Sequence, residues 1–270
     1  MHHTTFIPKV TPQRFETERS RKMASTSQTA AVRHATTFTG RGGLVDRYFY
    51  FAMGLLAAAL VAAGFSQTVN GNLLHAAVPR PMILWLHAAT FSGWVLFYIF
   101  QSALVRTRNV KVHRTLGWFG AALGAVMVPL GVATTVVMSR FRAHVLHDPV
   151  VSVFMIIPIY DMVVFGTLIT LAIQWRRKPD LHRRLLFIAT AGLLSAAFGR
   201  LPHLFDMNLF IVCIDSVMAL GMVRDLIVDR RIQKVYLVAM PCLIALQCFA
   251  IHTFRTAPPW WVAIVRSIVG

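Results

Sequence analysis

The chain has 270 residues, 56% of them hydrophobic and only 14% charged, with a formal charge of +17. A soluble domain is about one-quarter charged, so this composition, with a mean hydropathy of +0.61, excludes an ordinary soluble enzyme. The basic excess does not make a nucleic-acid binder either, because Lys and Arg lie in the N-terminal tail and in alternate loops between apolar blocks, as orientation signals do in membrane proteins.

Those blocks are about twenty residues long, the length that crosses a hydrocarbon core. The short alternating segments of a β-barrel are absent. The expected fold is therefore all-α, a polytopic membrane protein with seven transmembrane helices. Residues 1–43, rich in Ser, Thr, Gln and Arg without apolar period, read as a disordered basic cytoplasmic tail. Their composition also resembles a transit peptide, against which Glu16 and Glu18 argue.

The membrane domain is expected over 44–255. Its first span, about 44–66, is rich in Ala and Gly and suited to close helix packing. The second span is predicted over 82–105 and the third over 116–138, where Gly120 and Gly124 form a small-residue packing face. The fourth is predicted over 150–175 and the fifth over 185–201, stopped by Pro202. The sixth covers 206–223 and the seventh 235–254, with Pro241 placed to kink it. Two of these hairpins, 81–138 and 150–201, repeat one pattern and form the expected core. The stretch 256–270 reads as an outer interfacial tail in which Trp260 and Trp261 anchor at the headgroups. Cys213, Cys242 and Cys248 all fall in spans and read as small buried apolar residues.

Orientation follows from the basic residues. One side receives the tail with Arg106, Arg108, Lys111 and Arg114, then Arg176, Arg177, Lys178, Arg183 and Arg184, then Arg224, Arg230, Arg231 and Lys234. The other side receives Arg80, Arg140, Arg142, Arg200, Arg255 and Arg266. This bias predicts the N-terminus inside and the C-terminus outside.

Ionisable groups inside spans are functional candidates, because each costs several kcal/mol in hydrocarbon. At the standard helical rise, His87 lies about 9 Å from the outer face, Asp161 about 16 Å and Asp215 about 13 Å. Arg200, His203 and Asp206 lie at the outer ends of spans five and six, and Tyr160 adjoins Asp161. If their helices are neighbours, these side chains meet in one pocket of the outer half. A second group, His113-Arg114 and His182-Arg183, opens spans three and five. A His-Arg pair at such a place also serves as a simple headgroup anchor.

The segment KVHRTLGW at 111–118 and the segment DLHRRLLF at 180–187, followed by Arg200, resemble the His-Arg helix-entry motifs of poorly characterised bacterial membrane families. They resemble more distantly the haem-binding cytochrome b and ferric-reductase transmembrane superfamily. The resemblance covers about residues 80–205. It implies b-type haem held between helices, with His113 and His182 as an inner axial pair and His87 with His203 as an outer one, and electron exchange with quinone or a redox partner. His182 and His203 are 21 positions apart, about 31 Å of helix, so one haem fits the chain better than two.

Other readings stay open. His87, His203, Asp161 and Asp215 are suitable ligands for zinc or iron in a membrane hydrolase. Asp161 and Asp215, with Arg200, equally suit a proton-coupled transporter, and an accessory subunit of a larger membrane complex would need no chemistry of its own. The seventh span carries no Lys for a retinal Schiff base, and the chain has no phosphate-binding Gly-rich loop, nucleophile elbow or Cys-x-x-Cys.

Overall fold

A computed structural model describes residues 42–148, 150–202, 204 and 209–270. His203 and Asp206, and nearly all of the tail 1–43, lie outside the described residues. All regular structure among the described residues is helical. In chain order the elements are α1 (Gly42–Ser66), a π-helical turn (Asn70–Leu74), α2 (Met82–Arg106), α3 (Val110–His144), α4 (Val150–Val153) and α5 (Ile156–Gln174). They continue with α6 (Pro179–Gly192), α7 (Ser195–Phe198), α8 (Leu209–Asp229), α9 (Lys234–Thr256) and α10 (Pro259–Val269).

Six helical stretches are long and apolar enough to cross a membrane: Gly43–Ser66, Met82–Arg106, Val110–His144, Ile156–Gln174, Pro179–Phe198 and Lys234–Thr256. Helix α8 has the length, at 21 residues, but carries Asp215, Arg224, Asp225 and Asp229. Large apolar side chains such as Leu96, Val163 and Val238 stand on the outside of the bundle, which is the surface a lipid solvent favours.

The unit from Val45 onward is built around α3. A Cβ at Gly120 would strike the Phe97 ring, one at Gly131 would strike Met162, and one at Gly124 would sit 3.1 Å from Ile169. The glycine face predicted from the sequence is therefore a packing seam, against α2 on one side and α5 on the other. Trp94 of α2 donates its indole N–H to Thr190 Oγ1 of α6 at 3.3 Å. Helix α1 lays Phe49 and Tyr50 edge-on to Phe187 of α6, with centroids 5.5 and 6.1 Å apart.

Helix α3 runs for 35 residues, roughly 52 Å at the helical rise, well past a hydrocarbon core of about 30 Å. Its C-terminal end supports α4 and α10. Arg140 Nε donates to Ile268 O at 2.7 Å, and His144 Nε2 lies 2.9 Å from Val269 O. Both groups satisfy carbonyls at the C-terminal end of α10, which have no partner within their own helix. The tail therefore differs from expectation. Trp261 is buried with Met155, Val265 and Val269 and donates to Val153 O at 3.0 Å. Trp260 is exposed and stacks on Phe249. The cysteines differ as well: Cys213 is half-buried, while Cys242 and Cys248 are exposed on α9, and all three are free.

Candidate functional site

Polar side chains gather in three places. The first is the meeting of the inner histidines. His113 lies in the first turn of α3 and His182 in the first turn of α6, which starts with Pro179 at a position that needs no amide donor. Their ring centroids are 6.4 Å apart and their planes cross at 78°. His182 Nδ1 sits 2.8 Å from the carbonyl of Ala172, one of the orphan carbonyls in the last turn of α5. A carbonyl only accepts, so Nδ1 carries the proton and Nε2 is left with a lone pair. His113 Nδ1 is buried without a hydrogen-bond partner. Gly117, one turn along α3 from His113, leaves open space where a side chain would be.

This is a donor set that fits a metal cofactor. One imidazole is oriented by a backbone carbonyl, the usual outer partner of a metal-bound histidine.

The second place is an ion network that the sequence reading did not contain. Arg184 grips Asp225 with Nε–Oδ2 2.9 Å and Nη2–Oδ1 2.7 Å, and reaches Asp229 at 2.6 Å. Arg224 donates to Asp225 at 2.7 Å, to Asp229 at 3.0 Å and to Asp46. Arg183 pairs with Asp46 at 3.1 Å and with Asp180 at 2.7 Å. Arg184 and Arg224 are 1% exposed and Asp225 is 0% exposed, so these are interior charges. The N-terminal ends of α1 and α6 and the C-terminal end of α8 are thereby joined. Arg183, Arg184 and Arg224, counted above as loop charges, are structural cations with fixed partners. One signal was available: the chain has 27 basic residues but only 10 acidic ones, so each acid beside an apolar run needed a partner, and Asp225 and Asp229 share a helix face at i,i+4.

The third place lies among α5, α7, α8 and α9. Ser195 Oγ donates to Asp161 Oδ2 at 2.5 Å, and Gln247 Nε2 donates to Asp215 Oδ1 at 3.2 Å. Tyr160, Asp161, Ser195 and Gln247 line one cavity of about 20 Å³. The two predicted acids therefore come together, one on the cavity and the other behind Gln247. His87 and Arg200 do not join them. His87 stacks on Phe91 at 4.0 Å with its Nδ1 unpartnered. Arg200 is exposed, with its guanidinium 4.2 Å above the Phe65 ring and its Nη1 donating to Ala196 O. The expected single pocket of His87, Asp161, Asp215 and Arg200 is thus two separate groups, because the His87 ring is held by Phe91 rather than turned toward α5. Among the described residues no three His, Cys, Asp or Glu side chains come together as a metal cluster.

Compared with protein-family models, characterised proteins and solved structures, the chain matches none.

Proposed function

We propose that this chain is a membrane-embedded redox protein with a site for one b-type haem at its inner face, which His113 and His182 would hold. The observation that carries the reading is the approach of these two imidazoles from the entry turns of different helices, with His182 already oriented by Ala172 O. The haem would supply one-electron transfer. The protein's own groups bind and orient it. Ala172 O fixes the His182 tautomer and leaves Nε2 as the donor atom. The gap beside Gly117 gives a flat ring access to the helix flank, and the exposed cations Arg114 and Lys178, next to the two ligands in sequence, suit carboxylate side arms. Quinone or a redox partner protein would exchange the electron.

The same reading takes α8 as a seventh span. Its 21 residues extend roughly 31 Å, and its charges Arg224, Asp225 and Asp229 are paired within the inner network. The tail then lies inside and α10 outside. The basic bias that sets this orientation persists when the three network arginines are left out of it, and a bacterial inner membrane is its natural setting.

The absorption spectrum of the purified, detergent-solubilised protein tests the proposal. A Soret band and a sharp reduced α-band are expected, both lost in His113→Ala and His182→Ala and both kept in His87→Ala. A folded, colourless protein expressed with ample haem overturns it.

A further inference from the structure

We infer that the outer cavity is a binding site for a monovalent metal cation, with Na⁺ as its natural probe. The starting point is Gln247, which is 5% exposed. Its Nε2 donates to Asp215 Oδ1. A carboxylate only accepts, so this bond sets the orientation of the amide and turns Oε1 away from Asp215. That Oε1 is buried and has no hydrogen-bond partner, and Gln247 lines the cavity. A buried acceptor in this state calls for a donor or a cation.

The rest of the lining meets that need with oxygen alone. Asp161 contributes a carboxylate, Ser195 a hydroxyl whose proton is already committed to Asp161, and Tyr160 a phenol. Oxygen-only donors select hard cations. A cavity of about 20 Å³ holds one water-sized particle, which excludes an organic substrate or a hydrated magnesium ion. Calcium takes six to eight oxygens, more than this lining offers. Asp161 is the single charged group on the cavity wall, so one positive charge balances it and two would leave an excess among the apolar neighbours Phe165 and Ile214.

The backbone supports the same inference. Between α6 and α7 the fifth span stays helical but tightens, the Leu194 N–H bonding back three residues to Ala191 O at 3.0 Å. Gly192 and Ser195, on either side of this turn, both line the cavity. Tightened turns inside a helix often mark functional positions. This site is independent of the haem reading, since it shares no residue with it.

The experiment is thermal unfolding of the purified full-length protein in detergent at fixed pH, with NaCl titrated against choline chloride at constant ionic strength. Ligand linkage requires Tm to rise with Na⁺ and not with choline. Asp161→Asn should abolish the response, and Ser195→Ala should weaken the apparent affinity roughly tenfold, the loss expected from one good contact. Should Asp161→Asn fail to fold, Ser195→Ala and Gln247→Met carry the test. A Tm indifferent to Na⁺, an equal rise in choline, or an undiminished Na⁺ response in Ser195→Ala and Gln247→Met overturns the site and leaves a bound water or a proton on Asp161 as the occupant. Loss of this response in a red, haem-loaded protein would sink the cation site alone, whereas a colourless protein that answers to Na⁺ would sink only the haem.

Discussion

Arg184 and Asp225 form a two-pronged ion pair, Nε to Oδ2 at 2.9 Å and Nη2 to Oδ1 at 2.7 Å, with almost no solvent exposure on either side. Two charges so deep are stable only together. Removing one partner from such a pair leaves an uncompensated buried charge, which costs about 3–5 kcal/mol. Asp225→Asn and Arg184→Ala are both expected to lose about that much in detergent unfolding. The double replacement Arg184→Met with Asp225→Leu should recover much of it, because a matched apolar pair avoids the desolvation cost. Equal losses in single and double variants would show that the network carries no coupling.

His182 offers a separation of structure from chemistry. An asparagine side-chain amide can reach the position of Nδ1 and still donate to Ala172 O, but it has nothing at the position of Nε2. His182→Asn should therefore unfold within about 1 kcal/mol of the parent and yet lack the haem spectrum. His182→Ala should lose both the spectrum and some stability. Retention of the full spectrum in His182→Asn would remove His182 from the ligand set.

Two glycines should answer to alanine in opposite ways. At Gly64 a Cβ would strike the backbone of Ala197, with carbonyl carbon and Cα each 2.8 Å away; backbone cannot swing aside, so Gly64→Ala should cost about 1–3 kcal/mol by forcing α1 away from α7. At Gly117 nothing lies within 4 Å, so Gly117→Ala should be neutral or gain up to about 1 kcal/mol from helix propensity. Comparison of the two Tm values decides it.

The neighbouring tryptophans make a second contrast. Trp261 is 5% exposed and bonded to Val153 O, while Trp260 is 48% exposed. Trp261→Ala should cost about 3–5 kcal/mol and make the α9–α10 turn a protease target. Trp260→Ala should stay within about 1 kcal/mol. Limited proteolysis followed by mass measurement distinguishes undocking of α10 from global loss.

What could be read without coordinates followed one rule: local patterns survive, and pairings between distant segments do not. Apolar run length placed the six long helices, and the Gly120/Gly124 spacing identified a packing seam, since both depend on residues within a few turns of each other. The approach of His113 and His182 was expected only from the resemblance of their two motifs to haem-binding membrane families, since repetition of a motif does not by itself say that its copies meet. Asp46 with Arg224, 178 positions apart, leaves no local trace. Counting arginines by loop treated Arg183, Arg184 and Arg224 as solvated, and only the packing of α1 against α6 and α8 shows otherwise. The expectation that Asp161 and Asp215 neighbour each other agrees with their places on and behind one cavity. Depth says nothing of azimuth, though, and His87 faces Phe91 rather than the two acids.

The buried arginines also bear on how the chain is made. The segment Pro179–Phe198 is the least apolar of the six long helices, and its first turns carry Arg184, whose counter-charges Asp225 and Asp229 are translated some forty residues later. Until those aspartates emerge, Arg184 has no carboxylate from α8 to meet, and the segment has a poor claim to stay in lipid by itself. The expected consequence is that this segment is held back until α8 has been made, so that the two helices leave for the bilayer as a couple.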